Sequence, residues 1–312
     1  MTKVQRALVT VQKFAHCLSL YDLETGSEIA QIKLPDYPHE FVVSPDGRYA
    51  YVGHYGIPTQ FDQGEGGCSV FVIDLQRQTH TRTLKCWPYY RIHGIATDRD
   101  GRLYALSEAH SVLLVFERPW ANDAPDRVVD SGGHRSHLVR VTQDGRLAFC
   151  VNLRSHTVTV LRPHDPLARP KAIYTGQQPE GNCLSLDEQS LYITNRQSQT
   201  ITRVDVGSLR VLRHAATGVD PTRVVPTTDG RLLVTNYGEH SIGVYDCLLN
   251  LVGTIKVEAN PIAVGDDAQA GRAYATLKNG KVAVIDMNSL CVERDFPVRA
   301  EPDGVSIIEI QH

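Results

Sequence analysis

The 312-residue chain sets 32 Lys and Arg against 35 Asp and Glu, a formal charge of −3, and is 42% hydrophobic and 21% charged, which excludes wholesale disorder and gives no basic footprint for a nucleic-acid partner. No apolar run approaches the ~20 residues of a membrane-spanning helix, so no membrane partner is expected. The opening Met1 to Gln12 lacks the apolar core of a secretory signal, and seven scattered cysteines without a Cys-x-x-Cys pair fit a reducing compartment, so the expected location is cytoplasmic.

Taken in chain order, the first elements are three strands, Arg6 to Val11, Cys17 to Tyr21 and Glu28 to Leu34. A hairpin turn follows at Ser44-Pro45-Asp46-Gly47-Arg48, and Asp-Gly suits the positive backbone dihedrals of a tight turn. The turn recurs at Asp98 to Arg102, Thr142 to Arg146, Leu186 to Ser190 and Thr227 to Arg231, with a looser copy from Asp266 to Arg272. The turn aspartates stand at 46, 100, 144, 187 and 229, spaced by 54, 44, 43 and 42 residues. The first spacing is long because of a Gly-rich insertion, Ile57 to Gly67, which reads as a surface loop or a lid. Each turn leads into an apolar strand such as Tyr49 to Val52 or Leu232 to Thr235. An alternating strand comes next, such as Ser111 to Phe116 or Lys281 to Asp286, and then a third such as Leu251 to Val257. A period of ~40–45 residues with four short strands is the signature of a propeller blade.

Six units are complete. The three N-terminal strands lack a leading strand, and Gly304 to Ile310 is a leading strand without followers. Together they make a seventh blade, which removes the free sheet edge. The expected fold is an all-β seven-bladed β-propeller forming one domain over residues 1–312. The segments Ser44 to Val52, Leu191-Tyr192-Ile193-Thr194-Asn195 and Leu232 to Gly238 resemble the YVTN-repeat family of seven-bladed propellers. The resemblance covers nearly the whole chain. It implies the fold, and for function it implies a range that includes lyases, lactonases, isomerases, dehydrogenase subunits and pure binding proteins.

In such propellers the innermost strand of each blade starts at one mouth of a central channel. The residue seven before each turn aspartate reads His39, His93, His137, Glu180 and Thr222, and the Pro before this position extends the ring to Ile262 and Asp303. Chain closure puts Asp303 beside His39. Three imidazoles and a carboxylate (His39, His93, His137, Glu180) suit a divalent transition metal such as zinc, iron(II), manganese or copper better than magnesium or calcium. The same histidines could instead be plain channel residues, or acid and base groups without metal. A second tier at the end of the next strand reads His54, Ser107, Asn152, Asn195, Asn236 and Thr276. The asparagines suit turn capping, and His54 is the odd member, a further ligand, a proton carrier or a turn residue.

The loops into the ring carry Tyr37, Trp87, Tyr89, Tyr90, Arg91, His134 and Arg135, and Arg223 follows the ring position of the fifth blade. Of these, Tyr90, Arg91, Arg135 and Arg223 are the candidate contacts to a small-molecule substrate, an Arg being suited to a carboxylate or phosphate. No dinucleotide, Walker, HExxH or GxSxG motif is present. The leading expectation is a metal-dependent lyase, isomerase or lactonase acting on a small oxygenated metabolite, the metal polarising a carbonyl or activating water. Glu180, Asp303 or His54 would move the proton. The alternatives are a non-catalytic propeller that binds a protein or ligand through its rim, and a metal-free acid–base isomerase.

Overall fold

The Asp-Gly turns fold as hairpins because glycine takes the left-handed backbone and the aspartate closes the loop. φ is +70° at Gly47, +80° at Gly101, +73° at Gly145 and +85° at Gly230, and the Arg48 N–H donates to Asp46 Oδ1 at 3.1 Å. The fourth copy has no glycine, and Glu188 takes φ +57° in its place. A computed structural model describes residues 4–311 and strings these hairpins into seven four-stranded antiparallel sheets. In the first sheet the strands Pro38–Val43, Tyr49–His54, Ser69–Asp74 and Thr79–Lys85 follow one another outward. The leading strand of each sheet touches that of the next, and the circle closes where Pro302–Gln311 meets Pro38–Val43. This is a seven-bladed β-propeller, with two short 3-10 turns, Lys13–Ala15 and Tyr237–Glu239, as the helical elements among the described residues.

The seventh blade is the expected composite. Its leading strand Pro302–Gln311 pairs with Val4–Gln12, from Gln311 against Val4 to Pro302 against Gln12. The inner strands, such as Leu103–Ser107 and Ala148–Asn152, are buried throughout because each sheet is packed between two others. Val52, Phe71 and Ile73 of blade 1 cluster with Val9, Leu18 and Leu20 of blade 7, and Tyr104 and Leu106 of blade 2 with Val139 and Cys150 of blade 3. Burying one such aliphatic side chain is worth roughly 1.5–3 kcal/mol. All seven cysteines are free thiols, and no described helix is long and apolar enough to cross a membrane.

One irregularity repeats around the ring. In blades 1 to 6 the pairing of the first two strands slips at the channel end, for example between Pro38 and Phe41, Ile92 and Ile95, Ser136 and Val139, and Pro179 and Asn182. A β-bulge frees one residue from the ladder and re-aims its side chain. The residue after Pro38, Ile92, Ser136 or Pro179 lies in that bulge. Close approach of the next blade sets what can follow it: a Cβ on Gly94 would lie 2.6 Å from the His137 carbonyl oxygen, so His93 is followed by glycine.

Candidate functional site at the channel mouth

The bulges turn His39, His93, His137, Glu180, Thr222 and Ile262 toward the channel. With Asp303 of the closing strand they line one cavity of about 300 Å³. The arc expected from the sequence is thus assembled. The imidazole of His93 lies between the other two, with ring centroids 4.3 Å from His39 and 3.7 Å from His137. His39 Nδ1 is 2.7 Å from Asp303 Oδ2 across the chain closure. His137 Nδ1 is 2.7 Å from Glu108 Oε2, and its Nε2 is 3.5 Å from Glu180 Oε1. His39 Nδ1, His93 Nδ1 and Asp303 Oδ1 are buried without a hydrogen-bond partner, the close His39–Asp303 contact included.

The electrostatics follow from burial and these contacts. Burial, with His137 and His39 alongside, holds His93 well below its ordinary value, so it is neutral. Burial opposes the charge on His137 too, but the Glu180 and Glu108 carboxylates outweigh it and raise its pKa to about 9. Burial would raise Glu180, yet His137, Arg196 and Arg223 bring it down to about 2. Asp303 is lowered in the same way, against burial, by His39 and Arg223. Both carboxyls are thus ionised near neutrality. They remain as ligands, bases or anchors.

Reading the second tier from the asparagines put it one residue early. Asn152 is held by Ser136 Oγ at 2.6 Å and donates to Thr157 Oγ1 at 3.1 Å, inside its blade. His54 sits at the same level, opposite Pro38, with its ring 5.1 Å from that of Phe71, and it is not among the residues lining the mouth. The blade-6 member at that level is Leu277, opposite Pro261, rather than Thr276. The inward tier is the next residue along: Lys13, Tyr55, Arg196 and Tyr237 line the cavity, and Glu108 reaches it through His137. The backbone N–H groups of Lys13, Glu108, Leu153, Arg196 and Tyr237 all donate to a carbonyl in the loop before the ring, those of Glu301, Arg91, Arg135, Gln178 and Asp220. That shared bond is the register mark, and the sequence carried no repeated letter to flag it.

The candidate substrate contacts divide. Arg223 lies across the channel, paired with Glu40 of blade 1 and 3.8 Å from Asp303. Arg91 donates to the Gly64 carbonyl at 2.8 Å, and Arg135 to Gln60 Oε1 at 2.9 Å. Both guanidinium groups tie down the blade-1 insertion, whose Thr59, Gln60 and Phe61 form part of the cavity wall. Tyr90 borders a separate, larger cleft shared with Arg91, Arg135 and Glu108, so it does not face the ring.

Two overlapping triads could hold a cation. One donor atom from each of His93, Glu108 and His137 lies within 4.8 Å of the others, and likewise for His39, Glu40 and His93. Neither Glu40 nor Glu108 was expected from the sequence.

The class this fold and mouth define is a propeller with a polar, largely ionisable site on its axis. No protein-family model and no curated protein matches the chain. Solved structures do. A functionally unknown protein from Desulfotomaculum acetoxidans DSM 771 is 12% identical over 97% of this chain and 98% of its own, with a TM-score of 0.81. A putative 6-phosphogluconolactonase from Bacteroides uniformis ATCC 8492 is 13% identical over 97% and 100%, at 0.79. The dihydro-heme d1 dehydrogenase NirN in complex with DHE is 17% identical over 93% of this chain and 63% of that one, at 0.68. At these identities the likeness is one of fold.

Proposed function

We propose that the channel mouth is a metal-dependent active site for a small oxygenated metabolite, with lyase, isomerase or lactonase-type chemistry. The observation that carries this reading is the way the histidines are held. Glu108 Oε2 is hydrogen-bonded to Nδ1 of His137 at 2.7 Å, which fixes that ring and leaves its Nε2 as the donor, the pattern of a carboxylate–histidine pair behind a metal ligand, and Asp303 Oδ2 stands 2.7 Å from Nδ1 of His39 without hydrogen-bond alignment. His93 stands between them with a buried, unpartnered Nδ1. Two ligands at ~2.1 Å on a tetrahedral ion stand ~3.4 Å apart, and the 3.5 Å between His137 Nε2 and Glu180 Oε1 fits that spacing. His39, His93, His137 and Glu180 would hold zinc, iron(II), manganese or copper, with Glu40 as a further donor near His39. A divalent ion there supplies Lewis acidity toward a carbonyl or a bound water. The chain itself orients the histidines through Asp303, Glu108 and Tyr55, whose hydroxyl donates to Glu108 at 2.9 Å. Arg223 helps keep the buried carboxylates Glu180 and Asp303 ionised and pairs with Glu40, and the 57–67 loop narrows access for water.

The test is metal content by plasma mass spectrometry after loading and desalting. About one ion per chain is expected in the wild type under this ligand set, and a sharp loss in both His93→Ala and His137→Ala. Equal, negligible metal in all three ends the proposal. One observation favours a second reading: His137, protonated up to about 9 between two carboxylates, could act as a general acid without metal. That reading requires turnover that a chelator leaves untouched.

A further inference from the structure

We propose that Lys13 is the anchor for a carboxylate of the substrate, so that the site takes a short carboxylic acid with an oxygen function a few bonds away. Lys13 opens the 3-10 turn Lys13–Ala15 after the second strand of the composite blade. It holds the position that Tyr55, Glu108 and Arg196 hold in theirs, which aims it into the mouth. It is only 6% exposed, and its ammonium makes no ion pair or hydrogen bond among the described residues. Its one close partner is the Tyr55 ring, with Nζ 5.1 Å from the centroid. The other buried cations of the mouth are satisfied, Arg223 by Glu40 and Arg196 by Asp220 and Glu180.

A largely buried ammonium that no carboxylate pairs directly is costly even with acids nearby, and one facing a cavity is compensated when an anion enters. Burial lowers the pKa of Lys13 while Asp303, Glu301, Glu108 and Glu40 act to raise it. Those acids also limit the ligand. A phosphate dianion would meet several carboxylates in a space of about 300 Å³, whereas a monoanionic carboxylate meets less repulsion. Tyr55 touches both Lys13 and the histidines, with its ring centroid 5.3 Å from that of His39 and 5.4 Å from that of His93. One aromatic ring therefore separates the anchor from the histidine arc, which sets the short reach from carboxylate to reacting oxygen.

The inference rests on the mouth being the substrate site, but it does not need the metal, and the test uses metal-free protein. Lactate, a monoanion with a neighbouring hydroxyl, uncharged lactamide and inorganic phosphate are titrated by calorimetry into the wild type, Lys13→Met, Lys13→Gln and Lys13→Arg, with melting curves to confirm folding. Lactate should bind the wild type, lose about tenfold or more in affinity in the Met and Gln variants, and recover most of it in the Arg variant, since a charge-assisted bond is removed and restored. Lactamide should not bind. Absent lactate binding, equal binding in Lys13→Met, or Lys13-dependent binding of phosphate but not lactate overturns the assignment. Zinc loading of the same variants keeps the two proposals apart. Zinc uptake that survives Lys13→Met while lactate binding does not supports this anchor, and zinc refused by every variant speaks against the metal centre alone.

Discussion

Blades 1 to 3 and blades 4 to 6 carry the same bulge and stabilise it differently. In blades 4, 5 and 6 a threonine on the second strand reaches across. Thr194 Oγ1 accepts from the Gly181 N–H at 2.9 Å, Thr235 Oγ1 from Arg223 at 2.9 Å, and Thr276 Oγ1 from Ala263 at 3.1 Å. In blades 1, 2 and 3 the matching residues are Gly53, Leu106 and Val151, which have no hydroxyl. These are the blades whose bulge residue is histidine. The repeat's threonine is thus a scaffold device, and it is missing where the bulge residue is histidine, while blade 4 keeps it although its bulge residue Glu180 meets His137 and Arg196. Blades 4 to 6 hold the bulge through backbone-to-hydroxyl bonds, while in blades 1 and 3 the bulge imidazole meets a carboxylate and His93 of blade 2 lies between those two rings.

The largest test of that contrast is Glu180→Ala, which leaves the His137 imidazolium and Arg196 without a shared counter-charge. Removing one partner of a buried ion pair costs ~3–5 kcal/mol, to be read in urea unfolding at neutral pH. Loss below 1 kcal/mol would mean the arc is not held electrostatically. Next is the pH dependence of the metal-free protein. His137 has a folded pKa raised to about 9, so its contribution is complete below the unfolded value of ~6.5 and disappears as pH rises through 9, amounting to as much as ~3 kcal/mol. Glu180 works from the other side. Lowered to about 2, it contributes above an unfolded value of ~4.3 and loses that contribution as pH falls toward 2. Neutral His93 adds to the acid loss below ~6.5, because the unfolded chain takes up the proton that the folded chain refuses. His137→Gln should flatten the alkaline limb and also shrink the Glu180 limb, since His137 is the main group lowering Glu180 and only Arg196 and Arg223 remain to do so, which unfolding curves at pH 4 to 10 will show.

A smaller effect is expected from Glu108→Gln, which keeps the shape but weakens the hold on His137. Metal affinity should drop by ~10–100-fold while the fold is unchanged by circular dichroism, and unaltered affinity would detach Glu108 from the site. The smallest is Thr194→Val, which removes one bond to a buried amide and should cost ~1–2 kcal/mol. The mirror change, Val151→Thr, should give blade 3 no comparable gain, because its bulge already answers to His137 and Glu108. A gain equal to the Thr194 loss would show that the two halves are built alike.

The fold was readable because its signals are local. An Asp-Gly turn every forty-odd residues and strands with period two suffice to count blades, and the unpaired strands at the two ends give closure. The ring was readable because a bulge at constant distance from the turn makes its register countable. The inward tier behind it was not. Repeated asparagines drew attention to residues such as Asn152 and Asn195, which cap turns inside their blades. The channel-facing positions one step on hold Lys13, Tyr55, Glu108 and Arg196, with no letter in common. The Arg223–Glu40 pair was out of reach for another reason. It joins blades 5 and 1 across the axis, and nothing in either repeat points across a channel. Arg91 and Arg135 were legible as mouth residues but not as the fasteners of the 57–67 loop, because their carbonyl and amide acceptors there leave no mark in sequence.

The composite blade also makes the site a gauge of its own assembly. Asp303 and Lys13 come from opposite ends of the chain and meet at His39 and Tyr55 only when the last strand has docked on the first. A ligand that reaches both of them spans the seam, and its binding energy works as a clasp on the joint between the two chain ends.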